Sequence, residues 1–484
     1  MSDELMRLAE QYHENCEYEK AIDAYSRVIE LDPKNVRAFC YRGYAYSQLG
    51  DTMRALEDCN KAIEIDPKNA SAYFYRGCAY GQLDDHMKAI ADFDQTIELA
   101  PENAITYRHR GDQYMVIGDM TAAIADYSKA VELNPKDAGA FHYRGYIHAR
   151  LGDNMKAIED YSKAIMLDPQ NALMWKQRGD TYSALGDKMA AIADYSRAIA
   201  LDQGYAAIYY NRALRYVDVG EYERGITDFN RVIELEPRNA DAYCDRGLTY
   251  LTLGVYRQAI EDCNKAIDIN PGFSRAYNNR GRVHSAQGEF IKAIAEYTKA
   301  IEFDPKEINV YYNRADAYLK FGDYAKAIAD YSKVIDAEPQ NVQVYLRRAS
   351  AYGGLGDRVK EIADYSRAIE LNPKKDGAAA FHNRGMAYSS QGDYAKAIAD
   401  YNKVIELDHP NEVSSTYFRR GIAYSGLGDK MRAIADFDKA ISLDPRDAAY
   451  YYNRGKTYYD LGDEVRATAD LDKAIELNPK YAHT

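Results

Sequence analysis

Apolar residues recur along the chain at helical spacings, in pairs of stripes. In EINVYYNRADAYLKFGDYAKAIADYSKVIDAEPQ, residues 307–340, Val310, Tyr311, Ala315 and Tyr318, with Arg314 among them, fall three and four apart. That spacing draws one face of an amphipathic helix. Ala327, Ile328, Tyr331 and Ile335 draw a second face. Between the two, Gly322 is placed to close the first helix in the left-handed conformation. Asp323 is placed to cap the second by accepting a backbone N–H bond. Pro339 cannot continue that helix and turns the chain onward. The pattern predicts two helices and two turns within 34 residues.

The same pattern fills the sequence. Gly43, Gly77, Gly111, Gly145 and Gly179 recur every 34 residues, as do Pro33, Pro67, Pro101, Pro135 and Pro169. Units therefore cover 1–34, 35–68, 69–102, 103–136, 137–170, 171–204, 205–238, 239–272, 273–306, 307–340, 341–374, 377–410, 413–446 and 447–480. Two-residue insertions, Lys375-Asp376 and Asn411-Glu412, bracket the twelfth, and a tail of 481–484 follows the fourteenth. The expected organisation is one continuous repeat domain over 1–480, which grows by stacking rather than by enlarging a single core.

The positions within the period carry a family resemblance. An aromatic stands early in the first helix in thirteen repeats (Phe39, Tyr73, Tyr107, Phe141, Trp175 and onward), with Leu5 the exception. Four positions later every repeat has Gly or Ala, which lets two helices approach closely. Tyr stands near the end of the first helix in twelve repeats, His148 and His284 departing. Ala stands early in the second helix in twelve, Gly225 and Glu361 departing. This pattern closely resembles the tetratricopeptide repeat family, and the resemblance covers the whole chain. It implies an all-α solenoid, a right-handed superhelix of antiparallel helix pairs, with the first helices lining the concave face.

One feature departs from the family's usual sequence. The residue before the small Gly/Ala is Arg in thirteen repeats, Arg42 through Arg454, and an acid stands sixteen residues later in the same thirteen, Asp58 through Asp470. Repeat 1 lacks both, with Leu8 and Ala24. We expect a ladder of Arg–carboxylate pairs between helices, bidentate where geometry allows. The alternative is two independent solvated faces.

Composition narrows the partners. The chain has 75 Asp and Glu against 62 Lys and Arg, a net charge of −13. That balance argues against nucleic acid, which needs clustered positive charge, and against anionic lipid. There is no uninterrupted apolar run of membrane-spanning length, so no membrane insertion is expected. The N-terminal MSDELMRLAEQYHENC has no signal-like segment. The six cysteines show no disulfide-framework spacing and are expected to be buried free thiols in a reducing, cytoplasmic setting. Cys59 and Cys263 occupy a repeat position that large apolar residues fill elsewhere.

Ligand recognition is expected on the first helices. The family's carboxylate clamp, which grips C-terminal peptides, needs Asn just after the Gly, and no repeat has it. An asparagine ladder, like that of the repeat superhelix attached to protein O-GlcNAc transferase, fits better. Asn211, Asn279, Asn313, Asn383 and Asn453 stand two positions after the aromatic, where an amide can both donate to and accept from a peptide backbone. In the N-terminal repeats Tyr41, Tyr75 and Tyr143 take that place and would add apolar contact. The alternative is that these asparagines only suit local packing.

Chemistry is poorly represented. No catalytic constellation or P-loop is present, and no cofactor is implied. Gly353-Gly354-Leu355-Gly356 looks phosphate-like but falls where other repeats turn between helices. Cys78, His109, Asp112 and His142 could be read as a zinc set, but scattered polar residues on a polar face is the preferred reading. The expected function is a non-catalytic scaffold for a protein or peptide. A self-associating rod, stacking end to end because no extra polar helix caps the last repeat, is the alternative, as is a regulatory subunit that recruits an enzyme.

Overall fold

The computed structural model describes residues 2–373, 377–407 and 413–483, and there the chain is all-α. The inserted pairs Lys375-Asp376 and Asn411-Glu412 lie outside the described residues. Among the described residues are 28 α-helices, from α1 (Ser2–Glu14) to α28 (Glu464–Leu477), and no strand. Odd-numbered helices are the first of each repeat and even-numbered ones the second.

In the tenth repeat the helices are α19 (Ile308–Phe321) and α20 (Tyr324–Ala337). Gly322 ends α19 at a φ of 93°, and the Asp323 carboxylate accepts a 3.3 Å bond from the Lys326 backbone N–H, as the sequence predicts. Val310, Tyr311 and Ala315 of α19 are buried with Ala327, Tyr331 and Ile335 of α20. Apart from Val310, these residues belong to one cluster that runs on through Val344 and Tyr345 to Ala380, so one repeat's apolar face is completed by the next.

Two compact units divide the chain, Met1–Pro237 and Arg238–Thr484. In the first unit the helices pack in sequence order, and first helices also touch those of neighbouring repeats: α3 (Val36–Gln48) meets α5 (Ala70–Gln82), and α5 meets α7 (Ala104–Ile117). The second unit repeats this with α15 (Ala240–Thr252), α17 (Ser274–Ala286), α19 and α21 (Val342–Leu355). Within each unit, first helices of neighbouring repeats thus also pack on one another.

Close approach within each hairpin rests on the small residue. A Cβ on Gly281 would stand 2.6 Å from the Tyr297 ring, and one on Gly385 2.7 Å from Tyr401. The early aromatic has a second role invisible in the pattern. Trp175 donates its Nε1–H to the Pro169 carbonyl at 3.1 Å, and the Tyr277 hydroxyl donates to the Pro271 carbonyl at 3.2 Å. In these repeats the aromatic thus ties the first helix to the turn that precedes it.

Two expectations need correction. Cys40, Cys59, Cys244 and Cys263 are buried free thiols, but Cys16 is exposed and Cys78 only partly buried. Cys16 occupies the left-handed position that Gly takes in most other repeats (φ 59°), which places it in solvent at a turn. The glycine-rich run is also not all turn: Gly353, Gly354 and Leu355 complete α21, and only Gly356 is left-handed. These glycines make room for neighbours. A Cβ on Gly353 would meet Glu361 Oε1 at 2.7 Å, and one on Gly354 the Tyr324 ring at 2.5 Å. Glu361 replaces the usual small Ala, is 7% exposed, and is bound by Arg358 Nη1 at 2.6 Å.

Candidate functional site

The expected Arg–acid ladder is present in all thirteen repeats. Arg314 donates Nε–H to Asp330 Oδ2 at 2.7 Å and Nη2–H to Oδ1 at 2.9 Å. The same bidentate geometry joins Arg42 to Asp58, Arg110 to Asp126, Arg178 to Asp194, Arg246 to Asp262 and the other Arg–Asp pairs. Arg280 uses a single oxygen of Glu296, at 3.0 and 2.7 Å. Repeat 1, lacking both, has Leu8 exposed and Ala24 buried.

Within each unit the guanidinium has a third partner that the sequence reading missed. Arg314 Nη1 donates to Thr298 Oγ1 of the preceding repeat at 3.1 Å, Arg42 Nη1 to Ser26 Oγ at 3.0 Å and Arg76 Nη1 to Asn60 Oδ1 at 2.7 Å. For Arg110 and Arg454 this partner is a second carboxylate, Asp94 or Asp438. The carboxylates bonded to these two arginines, Asp126 and Asp470 first, hold their guanidinium pKa above its ordinary value. Aromatic faces enclose the group as well: Tyr311 and Tyr318 lie 5.7 and 5.9 Å from the Arg314 centre. Within a unit, each of these arginines thus joins two helices of its own repeat to the repeat before. The signal was legible, since the third position holds only Ser, Thr, Asn or Asp throughout.

The predicted ligand residues sit on the first-helix face, and several amides are already engaged. Asn211 Nδ2 donates to Asp180 Oδ1 at 3.1 Å, a carboxylate shared with the Tyr195 hydroxyl and Lys176 Nζ, both at 2.7 Å. Asn279 is 5% exposed and turns Nδ2 onto the sulfur and carbonyl of Cys244, at 3.2 and 3.4 Å. Asn313 Nδ2 donates to Asn278 Oδ1 at 3.0 Å. Asn453 Nδ2 bonds its own helix at the Ala449 carbonyl, 2.8 Å away. Asn383 is partly buried. Tyr41 stacks on Tyr25 with centroids 6.0 Å apart, and Tyr143 stacks likewise on Tyr127.

Three pockets gather some of these residues. In the second unit, Asn279 and Asn313 line a 430 Å³ pocket together with Asn278, Asn309, Arg275 and Arg282. In the first unit, Asn211 lines a pocket of 130 Å³ with Asp180 and Arg215, and Tyr75 lines one of 360 Å³. Tyr41, Tyr143, Asn383 and Asn453 lie apart from these three. Sequence reasoning missed Asn278, Asn309 and Arg282. The tandem Asn278-Asn279, with Arg282 one turn beyond Asn278, was the available signal.

Among the described residues no group of three metal-ligating side chains converges. His109 Nδ1 is 3.7 Å from an Asp112 oxygen, while His142 bonds Gln177 and Asp112 takes the Tyr127 hydroxyl at 2.7 Å. Burial, aided by the charge of Arg108 and opposed by Asp137, pushes the His109 pKa down to about 4. No helix among the described residues is long and apolar enough to cross a membrane.

Helix hairpins of one length, repeated in register and stapled to their neighbours, define a helical-repeat protein with its open face on the first helices. The chain belongs to the tetratricopeptide repeat family. Profiles described as "Tetratricopeptide repeat" match residues 36–69, 240–273, 308–341, 378–411 and 448–481, with others over 59–91, 263–295, 173–205 and 342–375. One described as "TPR repeat" matches 9–50, 111–152, 145–186, 213–254, 281–322 and 429–462. No curated protein matches the sequence. Similar solved structures include a tetratricopeptide repeat protein from Parabacteroides merdae ATCC 43184, 22% identical over 52% of this chain and 98% of that one, with a TM-score of 0.43. The C-terminal part of a TPR repeat-containing protein from Cytophaga hutchinsonii is 19% identical over 50% and 98%, with a TM-score of 0.44. YrrB, a TPR protein with an unusual peptide-binding site, is 25% identical over 40% and 97%, with a TM-score of 0.37.

Proposed function

We propose that the chain is a non-catalytic scaffold that holds an extended peptide segment of a partner protein against its first helices. The observation that carries this reading is the 430 Å³ pocket of the second unit, where Asn278, Asn279, Asn309 and Asn313 converge. An extended peptide presents N–H and C=O groups at regular intervals, and amides answer both without reading side chains. Asn278 gives its carbonyl to Asn313 Nδ2. That bond leaves the Asn278 NH2 group as a donor and the Asn313 carbonyl as an acceptor. Asn279 acts differently, because its bond to Cys244 makes it part of the pocket wall. Asn211, Asn383 and Asn453 would extend the amide contacts to other repeats, and Tyr41, Tyr75 and Tyr143 would supply apolar ones. Four buried free thiols support a reducing, cytoplasmic setting.

The test is a displayed peptide library selected against the full chain, followed by affinity measurement of an enriched peptide. Asn278→Ala with Asn313→Ala should weaken binding by roughly tenfold or more, the loss expected for two hydrogen bonds of about 1 kcal/mol each. Amide-exchange protection in the cores of α17 and α19 should stay close to wild type, because these amides line a pocket and are not core residues. Undiminished affinity in the double variant overturns the reading.

A further inference from the structure

The amide contacts of the peptide-holding role do not fill the 360 Å³ pocket of the first unit, which Tyr75 helps to line. Tyr44, Phe74, Tyr75 and His109 form its walls, and Phe93 lies behind His109. Tyr44 meets Tyr75 edge to face at 5.3 Å, Phe74 meets Tyr75 at 5.6 Å, and Phe74 meets His109 at 5.4 Å. Phe93 stacks under His109 at 6.1 Å. The volume falls within the range of small-ligand sites.

Two further observations select the occupant. First, none of the lining residues carries a charge at neutral pH, in a chain where 28% of residues are charged. His109 is no exception, since burial holds its pKa at about 4. Second, Gly81 of α5 leaves the lining without a side chain beside Gln113, whose amide would lie 3.2 Å from a Cβ there. Neighbouring repeats carry Ser47 and Met115 at that position. At the rim, Gln82 Oε1 accepts from Ser47 Oγ at 2.7 Å, and Gln113 Oε1 is 2.9 Å from His86 Nδ1. Each of these carbonyls is occupied, and each NH2 group remains to donate.

We infer that this pocket takes the side chain of an aromatic residue, Phe, Tyr or Trp, from an extended segment of a partner protein, with the rim amides donating to that segment's backbone carbonyls. The inference rests on the peptide-holding reading and names an anchor for it. An aromatic guest meets the ring walls edge to face, the arrangement such rings prefer. A methylated ammonium would also suit aromatic walls. It would, however, lose its hydration without any carboxylate in the lining to replace it. Asp112, beside His109, is outside the lining and bonded to Tyr127.

The experiment uses the full chain and N-acetyl-tryptophanamide as probe, followed by saturation-transfer NMR. N-acetyl-leucinamide and N-acetyl-trimethyllysine amide are the comparators. The indole probe should bind saturably in the millimolar range, better than either comparator. Gly81→Leu, which adds a bulky side chain to the lining, should weaken it roughly tenfold or more. Gly81→Ala, adding one methyl beside a movable amide, is the control for folding. Intermolecular NOEs from the indole to the Phe74 ring in the wild-type chain locate the probe without any variant. No saturable binding, equal binding to a folded Gly81→Leu, NOEs to other residues only, or a preference for trimethyllysine would each overturn the inference. Because the probe needs no partner, Asn278→Ala with Asn313→Ala should leave it unaffected, so failure here and failure of the peptide-holding reading are read separately.

Discussion

At the scale of the residue, the thirteen arginines show what internal repetition makes legible. Arg and acid are lost together in repeat 1, and that coincidence sufficed to pair residues sixteen apart. The third partner went unread because Ser, Thr, Asn and Asp look interchangeable with any exposed helix position. The structure gives the pair an energetic consequence. Asp330 is 4% exposed, and both of its carboxylate oxygens are bonded by Arg314. Arg314→Leu leaves that carboxylate buried without its cation, a loss of about 3–5 kcal/mol. Arg314→Leu with Asp330→Ala removes the orphaned charge and should recover most of it. Denaturation of an array this long is not two-state. The cycle is therefore read by amide exchange of α19 and α20, and independent effects of the two substitutions would refute the coupling.

At the scale of the element, helix existence and helix ends were readable, because Gly, Asp and Pro each have a local physical reason to stand where they do. The amide and tyrosine side chains were harder to read. The sequence places Asn279 and Asn313 at one repeat position, yet Asn279 is buried against Cys244 and Asn313 lies beside Asn278. The difference arises from the neighbouring repeat, which periodicity within a single repeat does not describe. Turn chemistry is more transferable. Asp84 holds a left-handed φ of 59° at the end of its first helix, where twelve repeats use Gly. A side chain in that conformation costs roughly 1 kcal/mol, somewhat less for Asp than for most residues. Asp84→Gly should therefore slow amide exchange at the α5 C-terminus, α6 (His86–Leu99) and the turn between them by a corresponding small factor. Faster exchange there would mean that Asp84 makes a contact outweighing its backbone strain.

At the scale of the whole molecule, stability is a sum of hairpins and the interfaces between adjacent hairpins. The arginine staple sharpens that statement, since within a unit the guanidinium spans two adjacent repeats. Arg110 binds Asp126 of its own repeat and Asp94 of the one before. Arg110→Leu should therefore disturb two interfaces at once, leaving Asp126 buried without its cation and freeing Asp94. Exchange should accelerate in α6, α7 and α8 (Met120–Leu133), the three helices that share this arginine. Helices α19 to α21, whose own staple at Arg314 is intact, should keep wild-type protection. A fold held by one continuous core would respond differently, because a buried ion pair broken in its middle would lower protection everywhere. Uniform acceleration across all repeats would show that the chain unfolds as one body. The hairpins would then be a pattern of sequence and not units of stability.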